Sequence, residues 1–256
     1  MKTLSIRLAL RGLCLAALAA APGAGAQTMK LIQDRDELIC GVSGLLTGFS
    51  APDDNGVMQG LDADFCRGLA AAVLGDQDKV RFVNLTAKER FEALASGEVD
   101  LLARNSTHTL TRDASLGLNF TYYNFIDGQG FMVFEDLDVS SVLQLDGARI
   151  CVQSGTTTES NLADYFRQHD MEYEQITYDN MTEATRGFEN NYCDVITTDA
   201  SGLASVRTDL ANPARAMILP EIISKEPLGP VVRQGDDEFL NVVKWALYAM
   251  INAEEL

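Results

Sequence analysis

Two spacings of apolar residues alternate along the chain. LICGV (38–42) is a short, unbroken apolar run, the pattern of a strand buried on both faces, and GLDADFCRGLAAAVLG (60–75) repeats apolar residues at helical spacing until Gly75. VRFVNL (80–85) returns to strand pattern, AKERFEALASG (87–97) predicts a helix stopped by Gly97, and VDLLAR (99–104) a short strand. Strands that alternate with helices predict a parallel sheet, because a parallel pair needs a crossover and a helix is the usual one.

The order begins again at residue 148. ARICVQ (148–153), TTTESNLADYFRQH (156–169), EYEQITY (172–178), MTEATRGFENN (181–191) and CDVITTD (193–199) read as strand, helix, strand, helix and strand. Asp100 precedes Asn105 by five residues, as Asp194 precedes Asp199, so each half carries a short strand that opens on Asp and ends in polar residues. Two further runs, DGQGFMVF (127–134) and EPLGPVVRQ (226–234), are extended and lack the composition of a flexible linker. One connection out and one back make the second half an insertion into the first. A last amphipathic helix, DDEFLNVVKWALYAMINAEEL, ends the sequence.

Composition changes this picture at the N-terminus. Lys2, Arg7 and Arg11 precede the apolar run LCLAALAAA, and Ala24-Gly25-Ala26 forms a small-residue cleavage pattern before Gln27. Residues 1–26 therefore read as a cleaved secretory signal, too short to span a membrane. Cleavage takes three basic and no acidic side chains from a chain of net charge −17, leaving −20. Such a surface argues against nucleic acid and anionic membranes as partners, but not against an anionic ligand held by local donors in a cleft. Four cysteines remain, Cys40, Cys66, Cys151 and Cys193, and an even number in an exported chain predicts two disulfides. No pair has CxxC spacing and His108 and His169 lie far apart, so no metal site is expected.

Ligands of parallel sheets gather beyond the carboxyl ends of the strands. Those ends hold Ser43 and Phe49, Arg104 to Thr107, Gly155 to Thr158, and Asp199, with Arg112 at a helix start after Thr111. The set offers donors and one acid but no catalytic pair. SGTTTES lacks the second glycine and the lysine of a phosphate loop, GQG (128–130) enters a strand instead of a helix, and no GxSxG elbow exists. A binding reading uses all of these residues: Arg112 presents a planar fork to a carboxylate, free N–H groups at Thr156 and Thr157 add donors, and Asp199 accepts from a cation. A carboxylate beside an ammonium is what an α-amino acid presents. The competing roles are a surface pair of Arg112 with Asp113 and a helix cap by Asp199 before SGLASVRT.

CGVSGLLTGFSAPD, GLDADFCRGLAAAVLGD, AKERFEALASGEVDLLARNST, CVQSGTTTESNLADYF, CDVITTDASGL and LPEIISKEPLGPVVRQGDD follow one another over nearly the whole mature chain. Together they resemble the periplasmic solute-binding proteins of polar amino-acid ABC transporters, in the general L-amino-acid branch. The resemblance implies an α/β protein with the two-lobed periplasmic-binding-protein type II fold, each lobe a mostly parallel sheet flanked by helices, joined by two hinge strands. The implied organisation is a signal peptide at 1–26, lobe 1 at 27–129, lobe 2 at 130–228, and a return to lobe 1 at 229–256. Family members continue beyond the equivalent of Leu256, so a C-terminal remainder is expected to be missing. The implied function is that of a periplasmic, non-enzymatic monomer without cofactor, which captures a free polar L-amino acid between its lobes and delivers it to a membrane permease. An enzyme on the same fold, of the cyclohexadienyl or arogenate dehydratase type, is the alternative.

Carried over residue by residue, the resemblance implies that Arg112, Thr107 and the N–H of Thr157 hold the ligand carboxylate. Asp199, Asn105 and Thr107 hold its amino group, and Arg104, Ser43, Phe49, Gln153 and Thr158 form the side-chain pocket. Relatives specific for cationic amino acids carry an acid near Ser43 and an aromatic near Leu46, and both are missing here. Arg104 stands where those relatives have serine, which favours glutamate, glutamine, aspartate and asparagine unless Arg104 pairs with Asp100 or another acid of its lobe. With two cysteines in each lobe, the pairs Cys40–Cys66 and Cys151–Cys193 leave the hinge free to move.

Overall fold

Each half of the chain builds its sheet around a strand with no exposed side chain. The computed structural model describes residues 27–254; the expected signal peptide lies outside them. The first half runs α1 (Gln27–Arg35), β1 (Leu38–Val42), β2 (Ala51–Pro52), β3 (Met58–Gln59), α2 (Leu61–Leu74), β4 (Val80–Asn84), α3 (Arg90–Ser96), β5 (Leu101–Leu102), α4 (Leu110–Ser115) and β6 (Leu118–Phe120). Beyond β7 (Phe125–Asp127), the second contains β8 (Gln129–Phe134), β9 (Ala148–Gln153), α5 (Thr157–Gln168), β10 (Tyr173–Tyr178), α6 (Met181–Glu189), β11 (Val195–Asp199), α7 (Ala200–Asp209) and β12 (Ala216–Ile218). The chain then continues through β13 (Glu226–Leu228), β14 (Val231–Arg233) and α8 (Asp237–Glu254).

The sheets have orders β4-β1-β5-β14-β6 and β10-β9-β11-β8-β12. In each, three parallel strands are followed by one that runs back and one more at the edge. The repetition reaches single hydrogen bonds. Asp100 accepts from the Ile39 N–H at 2.8 Å, while its own N–H donates to the Ile39 carbonyl at 2.9 Å. Asp194 does the same with Arg149, at 2.9 and 2.8 Å.

Helix α8 returns to the first lobe, where Phe239, Val243 and Leu247 pack with Phe65, Leu69 and Val42 in one buried cluster. The second lobe has its own cores on the two faces of its sheet, one around Phe131 and Phe166, the other around Phe188 and Ile196. One disulfide braces each lobe: Cys40 of β1 to Cys66 of α2, and Cys151 of β9 to Cys193 before β11, with Cα atoms 6.3 and 5.7 Å apart. β7 and β13 pair antiparallel between the lobes. Beyond β13 only glycine fits, because a Cβ at Gly229 would lie 2.1 Å from the Tyr122 carbonyl oxygen.

Three elements differ from their sequence patterns. Helix α3 starts at Arg90 instead of Ala87, because Thr86 and Glu89 bond each other in a turn ahead of it. Helix α4 starts at Leu110, capped by Thr109, so Arg112 lies inside its first turn instead of opening it. Strand β5 shrinks to Leu101–Leu102. Among the described residues no helix is long and apolar enough to cross a membrane.

Candidate functional site

A cleft between the lobes is lined from the first by Ser43, Leu46, Arg90, Arg104, Asn105 and Thr107, and from the second by Gln153, Thr156, Thr157, Thr158, Met181 and Asp199. It leaves about 60 Å³ for the centres of water molecules, and adjoining cavities of about 130 and 190 Å³ share Ser43 and Met181 with it. Space on this scale admits a small molecule.

The donor side is built at the start of α5. Thr156 caps the helix by accepting from the Glu159 N–H at 3.3 Å, which leaves the N–H groups of Thr157 and Thr158 for a ligand. Thr157 Oγ1 donates to Glu226 on β13 at 2.8 Å, and Thr107 Oγ1 of the other lobe lies 3.4 Å from it. Arg112 is buried, and its Nη1 donates to the Thr107 carbonyl at 2.9 Å. It does not pair with Asp113, which faces His108 instead at 3.6 Å. Arg112 sits behind Thr107, which lines the cleft.

Asp199 ends β11 at the N-cap position of α7, yet its side chain makes no capping bond. Burial, with Asp127 and Glu226 nearby, pushes its carboxyl up to about 7, against the pull of Arg90 and Arg112. An acid that buried and that weakly satisfied is poised for a cation. Asn105 is held in the left-handed region at φ 32°, its N–H donating to Asp62 at 3.0 Å while its Oδ1 is buried without a partner. Asp62, which also accepts from Asn124 at 3.2 Å, is pushed up to about 6 by burial.

Arg104 lines the cleft and does not pair with Asp100, whose carboxylate is taken by Arg35 and the Ile39 N–H. Its Nε donates to the Leu85 carbonyl at 2.8 Å, and burial lowers it to about 10 despite Asp62 nearby. Gln153 donates to the Asp179 carbonyl at 3.2 Å, and the Thr158 hydroxyl lies 2.6 Å from that of Thr156. Ser43 reaches the wall, but Phe49 does not: it is buried edge-on against Phe125, ring centroids 5.3 Å apart. Four residues join the site that sequence patterns did not single out. Arg90 and Met181 line the cleft, Glu226 collects Thr157, Asn161 and Ser224, and Asp62 holds Asn105. Among the described residues no cluster of His, Cys, Asp or Glu is arranged to hold a metal.

Residues 38–256 match the family model of bacterial extracellular solute-binding proteins, family 3. The chain belongs to this family. It is 53% identical over 235 residues to the general L-amino acid-binding periplasmic protein AapJ of Rhizobium johnstonii, covering 92% of this chain and 69% of that protein. It is 56% identical over 241 residues to the glutamate/glutamine/aspartate/asparagine-binding protein BztA of Rhodobacter capsulatus, covering 94% and 71%. Among solved structures, a periplasmic binding protein of an ABC transporter from Brucella ovis, with glutathione bound, is 51% identical with a TM-score of 0.87, covering 90% of this chain and 72% of that one. An ancestral arginine-binding protein bound to arginine aligns at 27% identity and TM-score 0.74, covering 84% and 92%. The family has the two-lobed periplasmic-binding-protein fold, and the twin sheets described above are its lobes.

Proposed function

We propose that this chain is the periplasmic receptor of an amino-acid ABC transporter, which closes its lobes on one free polar L-amino acid and presents it to the membrane permease. The observation that carries the reading is the meeting of two opposite sites in one cleft: Asp199, buried without a capping bond, and the α5 N-terminus with Thr107 and Arg112 behind it. The first suits an ammonium and the second a carboxylate. Arg112, Thr107 and Thr157 take the carboxylate; Asp199, Asn105 and Thr107 take the amino group; Arg104, Ser43, Gln153 and Thr158 face the side chain. Glutamate, glutamine, aspartate and asparagine are the favoured ligands. The cations around the cleft support that choice, as does likeness to a relative named for those four amino acids.

The lobes are assigned to 27–129 and 130–228 with a return at 229–256, the chain acts as a monomer, and residues 1–26 direct export. A thermal-shift panel of the twenty L-amino acids tests the reading. A true ligand at 100 times its Kd adds about 2.7 kcal/mol of stability. A flat panel overturns the proposal. A cyclic dehydratase on the same fold needs a general acid and a leaving group aligned with it, and a site whose acid is matched to an ammonium favours binding alone. Aromatic product from prephenate or arogenate would reverse that judgement.

A further inference from the structure

Asp62 is a buried acid that takes part in none of the ion pairs among the described residues. It lies in the first turn of α2, where the N–H groups of Leu61, Asp62 and Ala63 donate to the Gly48 and Phe49 carbonyls and fix the main chain that carries it. Both carboxylate oxygens are committed to asparagines. Oδ2 accepts from the Asn105 N–H at 3.0 Å, and Oδ1 from the Asn124 side chain at 3.2 Å. Burial pushes the carboxyl up to about 6, and the two asparagines, then the Arg104 guanidinium, draw it back.

The two asparagines belong to segments that both bond the hinge strand β13 and the residues just after it. Asn105 opens the loop in which the Ser106 carbonyl accepts from the Gly229 N–H at 3.2 Å and the His108 N–H donates to the Pro227 carbonyl at 2.9 Å. Asn124 precedes β7, and its N–H donates to the Leu228 carbonyl at 3.0 Å. Asp62 closes this ring of bonds from α2. The need for it is local: Asn105 has φ 32°, a left-handed conformation that a residue with a side chain keeps only where its surroundings impose it. An acid is costly to bury, but its carboxylate makes a stronger, charge-assisted bond to an N–H than a neutral acceptor does. We propose that Asp62 is a positioning residue for the ligand: it holds the Asn105 main chain in the conformation that meets the ammonium, and Asn124 steadies Asp62. The inference rests on the amino-acid reading above and adds to it a residue that acts through Asn105.

The test is calorimetry of the whole chain and of its Asp62→Ala, Asp62→Asn and Asn124→Ala variants with L-glutamate, L-glutamine and L-alanine. Beside it, NMR spectra of the isotope-labelled proteins follow the Asn105 amide. Asp62→Ala should weaken every ligand that binds by about tenfold or more, and by nearly one factor, because the ammonium is common to all. Its Asn105 amide proton should move upfield, as loss of the acceptor requires. Asp62→Asn keeps an acceptor without the charge and should lose only about threefold to fivefold. Asn124→Ala leaves the Asn105 bond in place and should lose less than about threefold. Undiminished affinity in Asp62→Ala overturns the proposal, and so does an equal loss in Asp62→Asn, since the retained acceptor would then count for nothing. A loss with the Asn105 resonance unmoved marks a general loosening of the fold and is equally fatal, as is an Asn124→Ala loss as large as that of Asp62→Ala, or a loss confined to one ligand. If Asp62→Ala does not fold, Asp62→Asn carries the test, and unchanged affinity in it sinks the idea. The two readings fail differently: equal binding by the unaltered chain and Asp62→Ala removes only the role of Asp62, whereas an unaltered chain that binds no amino acid removes both.

Discussion

The hydroxyl oxygens of Thr107 and Thr157 lie 3.4 Å apart, one on the loop after β5 and the other in the first turn of α5. Thr157 also donates to Glu226, which takes Asn161 at 2.7 Å and Ser224 at 2.6 Å. The pair thus links both lobes to the hinge strand. Thr157→Val keeps the shape, removes the hydroxyl and leaves Glu226 two donors. It should weaken every ligand by about 0.5–1.5 kcal/mol, the net worth of one hydrogen bond. Calorimetry that finds affinity unchanged would show that the lobes close without this contact.

Arg112→Ala and Asp199→Ala should each cost roughly 2–5 kcal/mol of affinity, because each leaves a ligand charge unpaired away from water. The loss should be nearly uniform across side chains, since the α-groups are common to all. A panel of ligands measured on both variants checks this. Wild-type affinity in either would remove that residue from the site.

Proton linkage gives Asp199 a second signature. Its carboxyl is raised from 3.8 to about 7, so between those values the folded protein holds a proton that the unfolded chain has lost. This group's contribution to unliganded stability is full below the lower value and is lost as pH rises through the upper one. Binding pulls the other way, because an ammonium favours the carboxylate and expels the proton. Affinity should fall as pH drops below about 7, with up to about one proton released per ligand. Asp199→Asn should flatten both trends. Calorimetry in buffers of different ionisation enthalpy that finds no release near pH 6 would show the acid to be ionised before ligand arrives.

Spacing made the architecture legible because each strand and helix is set by its own local pattern. The shared Asp of DLLARN and DVITTD marked the duplication, and Asp100 and Asp194 do repeat one pair of backbone bonds. The site was legible only where it sits on strand ends and helix starts. Arg90 was hidden because a basic residue in an amphipathic helix normally faces water, whereas here it is buried beside the Phe91 ring. Glu226 lies in a run whose extended pattern was plain, but its three partners come from sequence positions up to 69 residues away. Phe49 was drawn from the cleft by a neighbour no local pattern reveals, Phe125 on the hinge strand.

Removal of the second-lobe disulfide should separate stability from binding. Cys151 and Cys193 are buried with Phe188 and Ile196 and do not line the cleft. The double Cys151→Ser, Cys193→Ser variant should lose about 2–4 kcal/mol, as expected when a covalent restraint on the unfolded chain is lifted. Denaturant unfolding measures that loss, and ligand affinity at 25 °C should stay within about twofold of wild type. An equal collapse of both would tie the bridge to the geometry of the cleft.

Gly155 brings the GTTT turn up against the other lobe. Its φ is 72°, and a Cβ there would lie 3.2 Å from the Lys88 Cα, a backbone atom between β4 and α3 that cannot rotate aside. Gly147 has nearly the same φ, 77°, but open space around it. Alanine at either position meets the same left-handed penalty, about 1–2 kcal/mol. Only at Gly155 does it also press on the backbone of the other lobe. Gly147→Ala should therefore lower stability while keeping affinity, whereas Gly155→Ala should lower both and shrink the ligand-induced rise in melting temperature. Thermal melts of the two variants with and without ligand make the comparison. If their ligand-induced shifts match, the approach of Gly155 to Lys88 plays no part in closure.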